Sequence, residues 1–163
     1  MPEKIKKTVL RCMLPLFFIV LLAGCGGEPS VTAQAGETVY TTLFNFTVSD
    51  VQTIDSYTGV DIPEGSKLVS MQLTVENTSD QTCTMFADDF QIQWGDGDDD
   101  FGTCLTAVDT SMIPYSYTLE PGQSHQGLML ITVPTDCSQI TVAYQEVKGN
   151  GDKATAYFVE ASL

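Results

Sequence analysis

The constraint that most limits how this chain folds is an alternation of apolar and polar residues with a period of two. In Val69-Ser70-Met71-Gln72-Leu73-Thr74-Val75-Glu76, every odd-numbered residue is apolar and every even one polar. Successive side chains of a strand point to opposite faces, so such a run buries one face and wets the other. Phe44, Phe46 and Val48 repeat the pattern within Tyr40–Val48, Phe90, Ile92 and Trp94 alternate with Gln91 and Gln93, and Ile140, Val142 and Tyr144 alternate with Thr141, Ala143 and Gln145. Residues 101–108 are a partner for 90–94 across the acidic turn 95–100, and Lys148-Gly149-Asn150-Gly151-Asp152 is a turn into a last strand, 154–161. Leu128–Val133 is apolar on both faces, which predicts a central strand. Pro63-Glu64-Gly65, Asn77-Thr78-Ser79-Asp80, Pro121-Gly122 and Pro134 punctuate these runs. No helical period of useful length follows residue 25; a small helical turn fits Thr106–Tyr117. About seven short strands with turns between them predict an all-β chain folded as an immunoglobulin-like antiparallel β-sandwich. A closed barrel is the alternative that this pattern does not separate from it.

The first 24 residues stand outside that rhythm. Lys4, Lys6, Lys7 and Arg11 precede an apolar run from Met13 to Leu22. A run of this length falls short of the roughly 20 residues that span a hydrocarbon core and matches the core of a signal peptide. Leu22-Ala23-Gly24-Cys25 then looks like the lipobox of bacterial lipoproteins. That resemblance implies diacylglyceryl transfer to the Cys25 sulfur, cleavage between Gly24 and Cys25, and a protein held on the cell membrane by lipid, facing the extracytoplasmic side. The acylated Cys25 makes the bilayer the first partner, because two acyl chains give stable anchoring where one is marginal. An ordinary secretory signal with a chance cysteine is the competing reading. The resulting division is a lipoprotein signal peptide at 1–24, a flexible lipid-anchored linker at 25–36, small and polar in composition, and a domain at 37–163.

Charge narrows the function. The whole chain has 7 Lys+Arg against 21 Asp+Glu. The signal peptide takes four of the basic residues with it, leaving Lys67, Lys148 and Lys153 against 20 acids, a formal charge of −17 with no arginine. Binding nucleic acid requires basic groups that neutralise phosphates, so that class is excluded. A charged partner would be cationic.

Turn and strand signatures also carry a family resemblance. They are Pro63-Glu64-Gly65 ahead of a strand ending Val75-Glu76-Asn77-Thr78-Ser79, Asp89-Phe90-Gln91-Ile92 before an acidic hairpin, and Leu119-Glu120-Pro121-Gly122 leading to a strand that ends Val133-Pro134. Together they resemble the immunoglobulin-like domains of unknown function found in bacterial lipoproteins, mostly of Gram-positive organisms. The resemblance covers nearly all of 37–163 and implies a sandwich exposed outside the cytoplasm. It brings no catalytic residues with it.

Candidate chemistry is sparse. Three cysteines remain after Cys25, so at most one internal pair closes. Assigning strand ends to the two poles of a sandwich puts Cys104 and Cys137 together and Cys83 apart, which favours a Cys104–Cys137 bridge over three reduced thiols. Asp96, Asp98 and Asp100 have the 1-3-5 spacing of a calcium loop, but Phe101 stands where an EF-hand needs Gly and Ala107 where it needs Glu. The fold could add Asp88 and Asp89 to such a calcium site, though nothing in the sequence requires it, and a solvated hairpin tip accounts for Asp96, Asp98 and Asp100. His125, the single histidine, sits beside Ser124 at a strand start without a nucleophile elbow. Tyr115 and Tyr117, near Pro114, are candidates for exposed contacts, whereas Trp94 reads as core. The expectation is a non-catalytic binding or scaffolding module, not an enzyme, with no cofactor, contacting an envelope or extracellular protein. The alternative is a calcium-dependent module using the 96–100 hairpin.

Overall fold

A computed structural model describes residues 29–163; the signal peptide, its cleavage site and Cys25 lie outside the described residues. Eleven strands follow one another: β1 Ser30–Gln34, β2 Thr38–Tyr40, β3 Phe44–Ile54, β4 Ser66–Asn77, β5 Cys83–Phe86, β6 Phe90–Gln93, β7 Phe101–Thr103, β8 Ser116–Leu119, β9 Ser124–Pro134, β10 Gln139–Val147 and β11 Lys153–Ser162. One 3-10 turn, Ala87–Asp89, precedes β6, and Thr106–Tyr117 contains no helical turn. Among the described residues no helix is long and apolar enough to cross a membrane.

The strands form a five-stranded sheet, β1-β11-β10-β6-β7, a four-stranded sheet, β2-β3-β4-β9, and a small β5-β8 ribbon. The larger sheets face each other as a β-sandwich and do not close into a barrel. Their inner faces meet in an aromatic contact. Phe44 and Phe46 of β3 pack on Phe90 and Tyr144 of the opposite sheet, with Phe46 and Phe90 edge-to-face at 5.3 Å between centroids. Val69, Met71, Leu73 and Val75, the apolar set of the clearest alternation, are all buried in this core.

The seven expected strands are all present, and four short ones, β1, β2, β5 and β8, join them. β1 corrects the linker expectation. Ser30–Gln34, five residues inside the segment read as a flexible tether, pair in parallel with Ala156–Glu160 of β11. Small residues satisfy an edge strand because its hydrogen bonds come from backbone, and a parallel partner distant in sequence leaves no local signature.

β9 corrects a second expectation. It is two-sidedly apolar, but it ends its sheet and is not central. Met129, Ile131 and Val133 enter the main core, while Leu130 joins Leu68 and Met112 in a second cluster on the outer face, packed against Ile54, Tyr57, Val60, Ile62, Leu105 and Ala107. The segment 105–113 also takes the free edge of β9. Leu105 N donates to Leu130 O, Ile113 N to Leu128 O, and Leu128 N to Ser111 O. An edge strand left bare is a template for aggregation, and a covering strap removes it. Asp109 ties this strap to the 54–66 connection by accepting from Tyr57 Oη at 2.7 Å and from Ser111 Oγ at 2.6 Å.

Candidate functional site

Strand directions sort the loops into two ends. β1 and β11 begin at one, the near end, which also holds the β2–β3 loop, the β4–β5 loop, the β8–β9 turn and the β10–β11 turn. The far end holds the 54–66 connection, the acidic turn 95–100 and the turn before β10.

This frame separates the residues expected to bridge. Cys83, Cys104 and Cys137 are all free thiols. β7 runs antiparallel to β6, pairing Phe101 with Gln93 and Thr103 with Gln91, so Cys104 leaves β7 at the near side, level with Phe90. Cys137 lies at the far end, where its Sγ donates to Gln139 O at 3.1 Å and reaches Trp94 O at 3.7 Å. Phe90 and Trp94 are four residues apart on an extended strand, about 13 Å. That exceeds the roughly 7 Å between Cα atoms that a disulfide tolerates. The expectation fails because Cys104 ends its strand instead of beginning it, which exchanges its pole. Burial, then the Asp88 carboxylate, pushes the Cys104 thiol up to about 11.

Asp96, Asp98 and Asp100 sit in the far-end turn. Asp100 Oδ2 points back to accept from Gly97 N at 2.9 Å, and Trp94 N donates to Asp100 O at 2.9 Å. Asp96 and Asp98 are exposed, and among the described residues no three His, Cys, Asp or Glu side chains converge as a metal would require. Asp88 and Asp89 begin the other end of β6 and cannot join them.

His125 lies on β9, its ring 4.5 Å from that of Tyr117 and tilted by 31°. Neighbouring strand residues face opposite ways, so Ser124 turns from His125 and the two form no nucleophile–base pair. Tyr117 is not the exposed contact residue expected of it. Its hydroxyl is buried without a partner, and burial raises its pKa strongly, with Asp89 and Cys104 adding to the effect. Tyr115 is exposed, as expected, and rests edge-on against Phe86. Trp94 packs against the core from its rim.

A cleft of about 530 Å³ opens at the near end between the start of β3, the β4–β5 loop with β5, and the end of β10. Phe44, Met85 and Tyr144 form its floor side, while Leu43, Phe86 and Val147 line its mouth at 50%, 41% and 56% exposure. Asp89, which also lines it, has its pKa raised by burial, opposed by a hydrogen bond from Phe86 N. Thr42 N donates to Glu146 Oε1 at 3.1 Å, joining the two sheets beside the cleft.

One residue shapes this wall that reasoning from sequence used only as a breaker. Asn77 is fully buried at the end of β4 and satisfies every polar valence of its side chain. Nδ2 donates to Gln81 O at 2.7 Å and Leu119 O at 2.9 Å, while Oδ1 accepts from Ser79 N at 3.0 Å and Ser79 Oγ at 2.8 Å. Its backbone holds the β8–β9 turn through Gly122 N and Gln123 O. The Asn-x-Ser spacing of an Asx turn was the available signal.

Comparison with known structures places this architecture among bacterial sandwiches. It is similar to the ycdA protein of Bacillus subtilis strain 168, a candidate lipoprotein, with a TM-score of 0.62 and 16% identity over 77% of this chain and 38% of that one. The chain thus spans well under half the length of ycdA. It is similar to yjhA of Bacillus subtilis, with a TM-score of 0.59 and 18% identity over 78% of this chain and 98% of that one. An uncharacterised β-sandwich protein of Clostridium difficile 630 follows, with a TM-score of 0.52 and 12% identity over 84% of this chain and 97% of that one. At such identities these likenesses speak to the fold. No functionally curated protein matches the sequence significantly. The family model for DUF4352, a domain of unknown function, matches residues 33–154, most of the sandwich, and the chain belongs to that family.

Proposed function

We propose that this protein is a membrane-anchored extracytoplasmic lipoprotein whose sandwich works as a non-catalytic binding or scaffolding module. The observation that carries the reading is the closeness of the lipobox to the fold. Cys25 lies five residues before Ser30, the first residue of a strand hydrogen-bonded into the larger sheet. An acyl group on Cys25 therefore carries the sandwich directly. The fold it shares with ycdA, a candidate lipoprotein, supports the same localisation. The module presents its far end outward, where the acidic 95–100 turn favours a cationic surface on an envelope or extracellular protein.

Cys25→Ala tests the anchor. The variant is expected to lose its diacylglyceryl mass and leave the membrane fraction, and a variant that stays there as a lipidated species overturns the reading. Titration calorimetry with Ca²⁺ addresses the other class. No heat is expected, because Asp100 is turned onto Gly97 N. Heat that Asp98→Asn abolishes would replace the present reading with a calcium-dependent module.

A further inference from the structure

We propose that the near end of the sandwich lies against the bilayer that holds its own acyl chains, with the cleft mouth and the β10–β11 turn at headgroup level. The inference rests on lipidation of Cys25 and adds which surface of the module meets the membrane.

Tether length decides between the two ends. Four residues, Gly26 to Pro29, separate Cys25 from Ser30, five steps with a reach of about 17 Å even when fully extended. Ser30 is level with Ala156, and the six further steps of β11 to Ser162 run about 20 Å in the opposite direction, so the far end lies outside that reach. The tether also leaves in a defined direction. Pro29 O accepts from Ala156 N at 2.9 Å, so the chain runs out beside the beginning of β11. Lys153 lies three residues before Ala156, and the β10–β11 turn therefore projects about 10 Å past Ser30 on the side where Pro29 leaves the sheet. The turn tip thus lies within the extended reach of the tether, on the side to which Pro29 leaves the sheet.

The chemistry of that end fits a lipid surface. Leu43, Phe86 and Val147 are exposed around the cleft mouth, and Tyr40 ends β2 beside them at 61% exposure. Apolar and tyrosine side chains of this kind settle at the boundary between acyl chains and headgroups. Lys148 and Lys153, two of the three cations left after cleavage, flank the same turn and are exposed. Their stems lie along apolar surface while the ammonium groups reach lipid phosphates. Asp80, Asp88, Asp89, Glu120, Glu146 and Asp152 share this end and outnumber the two lysines, so apolar contact and the acyl tether supply the attraction and the lysines offset only part of the acidic charge. The third cation, Lys67, is at the far end, bonded to Cys137 O.

The single tryptophan makes the orientation measurable, because Trp94 belongs to the far end. The lipidated full-length protein is placed in phosphatidylcholine–phosphatidylglycerol vesicles whose acyl chains are brominated, and its fluorescence is compared with that in unbrominated vesicles. Trp94 of the parent protein is expected to keep its emission. The added indole of Val147→Trp, at an exposed site, is expected to lose roughly half of its emission, as a group a few ångströms into the interface would. Backbone amides at 41–44 and 147–153 of the unsubstituted protein should exchange more slowly on vesicles than in detergent-free solution of the Cys25→Ala form. Equal quenching at both positions, or none at 147 in vesicle-bound protein with unchanged exchange, overturns the orientation. Protein that lacks the diacylglyceryl mass and fails to float with vesicles overturns the anchoring itself, a distinct result.

Discussion

At the scale of single residues, a few polar groups determine the shape of the near end. Asn77 replaces four hydrogen bonds that water would otherwise supply to Gln81, Leu119 and Ser79. Asn77→Ala removes all four bonds. Ser79 N keeps Leu43 O and Gln81 O keeps Ser79 Oγ, but the buried Leu119 O loses its donor and an amide-sized gap is left in the wall, with each lost bond worth about 0.5–1.5 kcal/mol. A net loss of about 2–4 kcal/mol in chemical denaturation is expected, with the β4–β5 loop becoming open to proteolysis before the rest of the fold. A loss below a few tenths of a kcal/mol would show that the loop holds itself.

Cys104 gives the fold an alkaline sensitivity whose sign follows from its surroundings. The thiol titrates near its ordinary value of 9.0 in the unfolded chain and at about 11 in the fold, raised by burial and then by Asp88. Between these values the folded state holds the proton that the unfolded state has lost, so stability falls as pH rises from 9 through about 11. Below pH 9 the contribution is constant. Tyr144, raised to about 12 chiefly by burial, acts in the same direction at higher pH. Denaturation curves of the wild type and Cys104→Ala, compared across this range, isolate the cysteine. The difference between them should shrink as the wild type loses stability, and parallel curves would contradict the assignment. The same free thiol, with Cys83 and Cys137, should be alkylated in unfolded, unreduced protein.

At the scale of elements, the strap 105–113 decides the character of β9. Gly127 faces it closely. A Cβ there would come within 2.9 Å of Ile113 Cδ1 and 3.0 Å of the Ile113 backbone nitrogen. The side chain has room to yield only if the strap lifts, which breaks the bonds that Ile113 and Ser111 make with Leu128. Gly127→Val is expected to cost about 1–3 kcal/mol by overpacking. Exposure of the β9 edge should also raise the tendency to self-associate, measured by light scattering on mild heating. A monomeric variant of unchanged stability would show that the strap is dispensable. Val69–Glu76 announced itself because one buried face and one half-exposed face follow from the strand period alone. Leu128–Val133 announced two covered faces but not what covers them, since a sheet and a strap bury Leu130 equally well. Ser30–Gln34 announced nothing, because its pairing with β11 uses backbone atoms and its partner is more than a hundred residues away.

At the scale of the whole molecule, the arrangement separates chemistry by end. The acids of the 95–100 turn and the buried Cys137 belong to the far end, while the cleft, the exposed apolar side chains and two of three lysines belong to the end where the chain emerges. This polarity is why the vesicle experiment and the Cys25→Ala fractionation are measurements on the intact lipidated chain. A fragment without its tether would retain the fold's chemistry but lose the constraint that orients it.

The sequence by itself determined the strand period, the turn positions, the apolar set of the core, the strongly acidic charge and the family resemblance. These are local properties, set by side-chain alternation and by the conformations that Gly, Pro and Asn permit. Tertiary structure alone decided the parallel seat of β1, the edge place of β9 under its strap, the separation of Cys104 from Cys137 and the convergence of tether, cleft and lysines. Each depends on which distant strands share hydrogen bonds and in which direction they run. Strand direction is the physical quantity that alternation leaves undefined, because a run of period two reads the same from either pole.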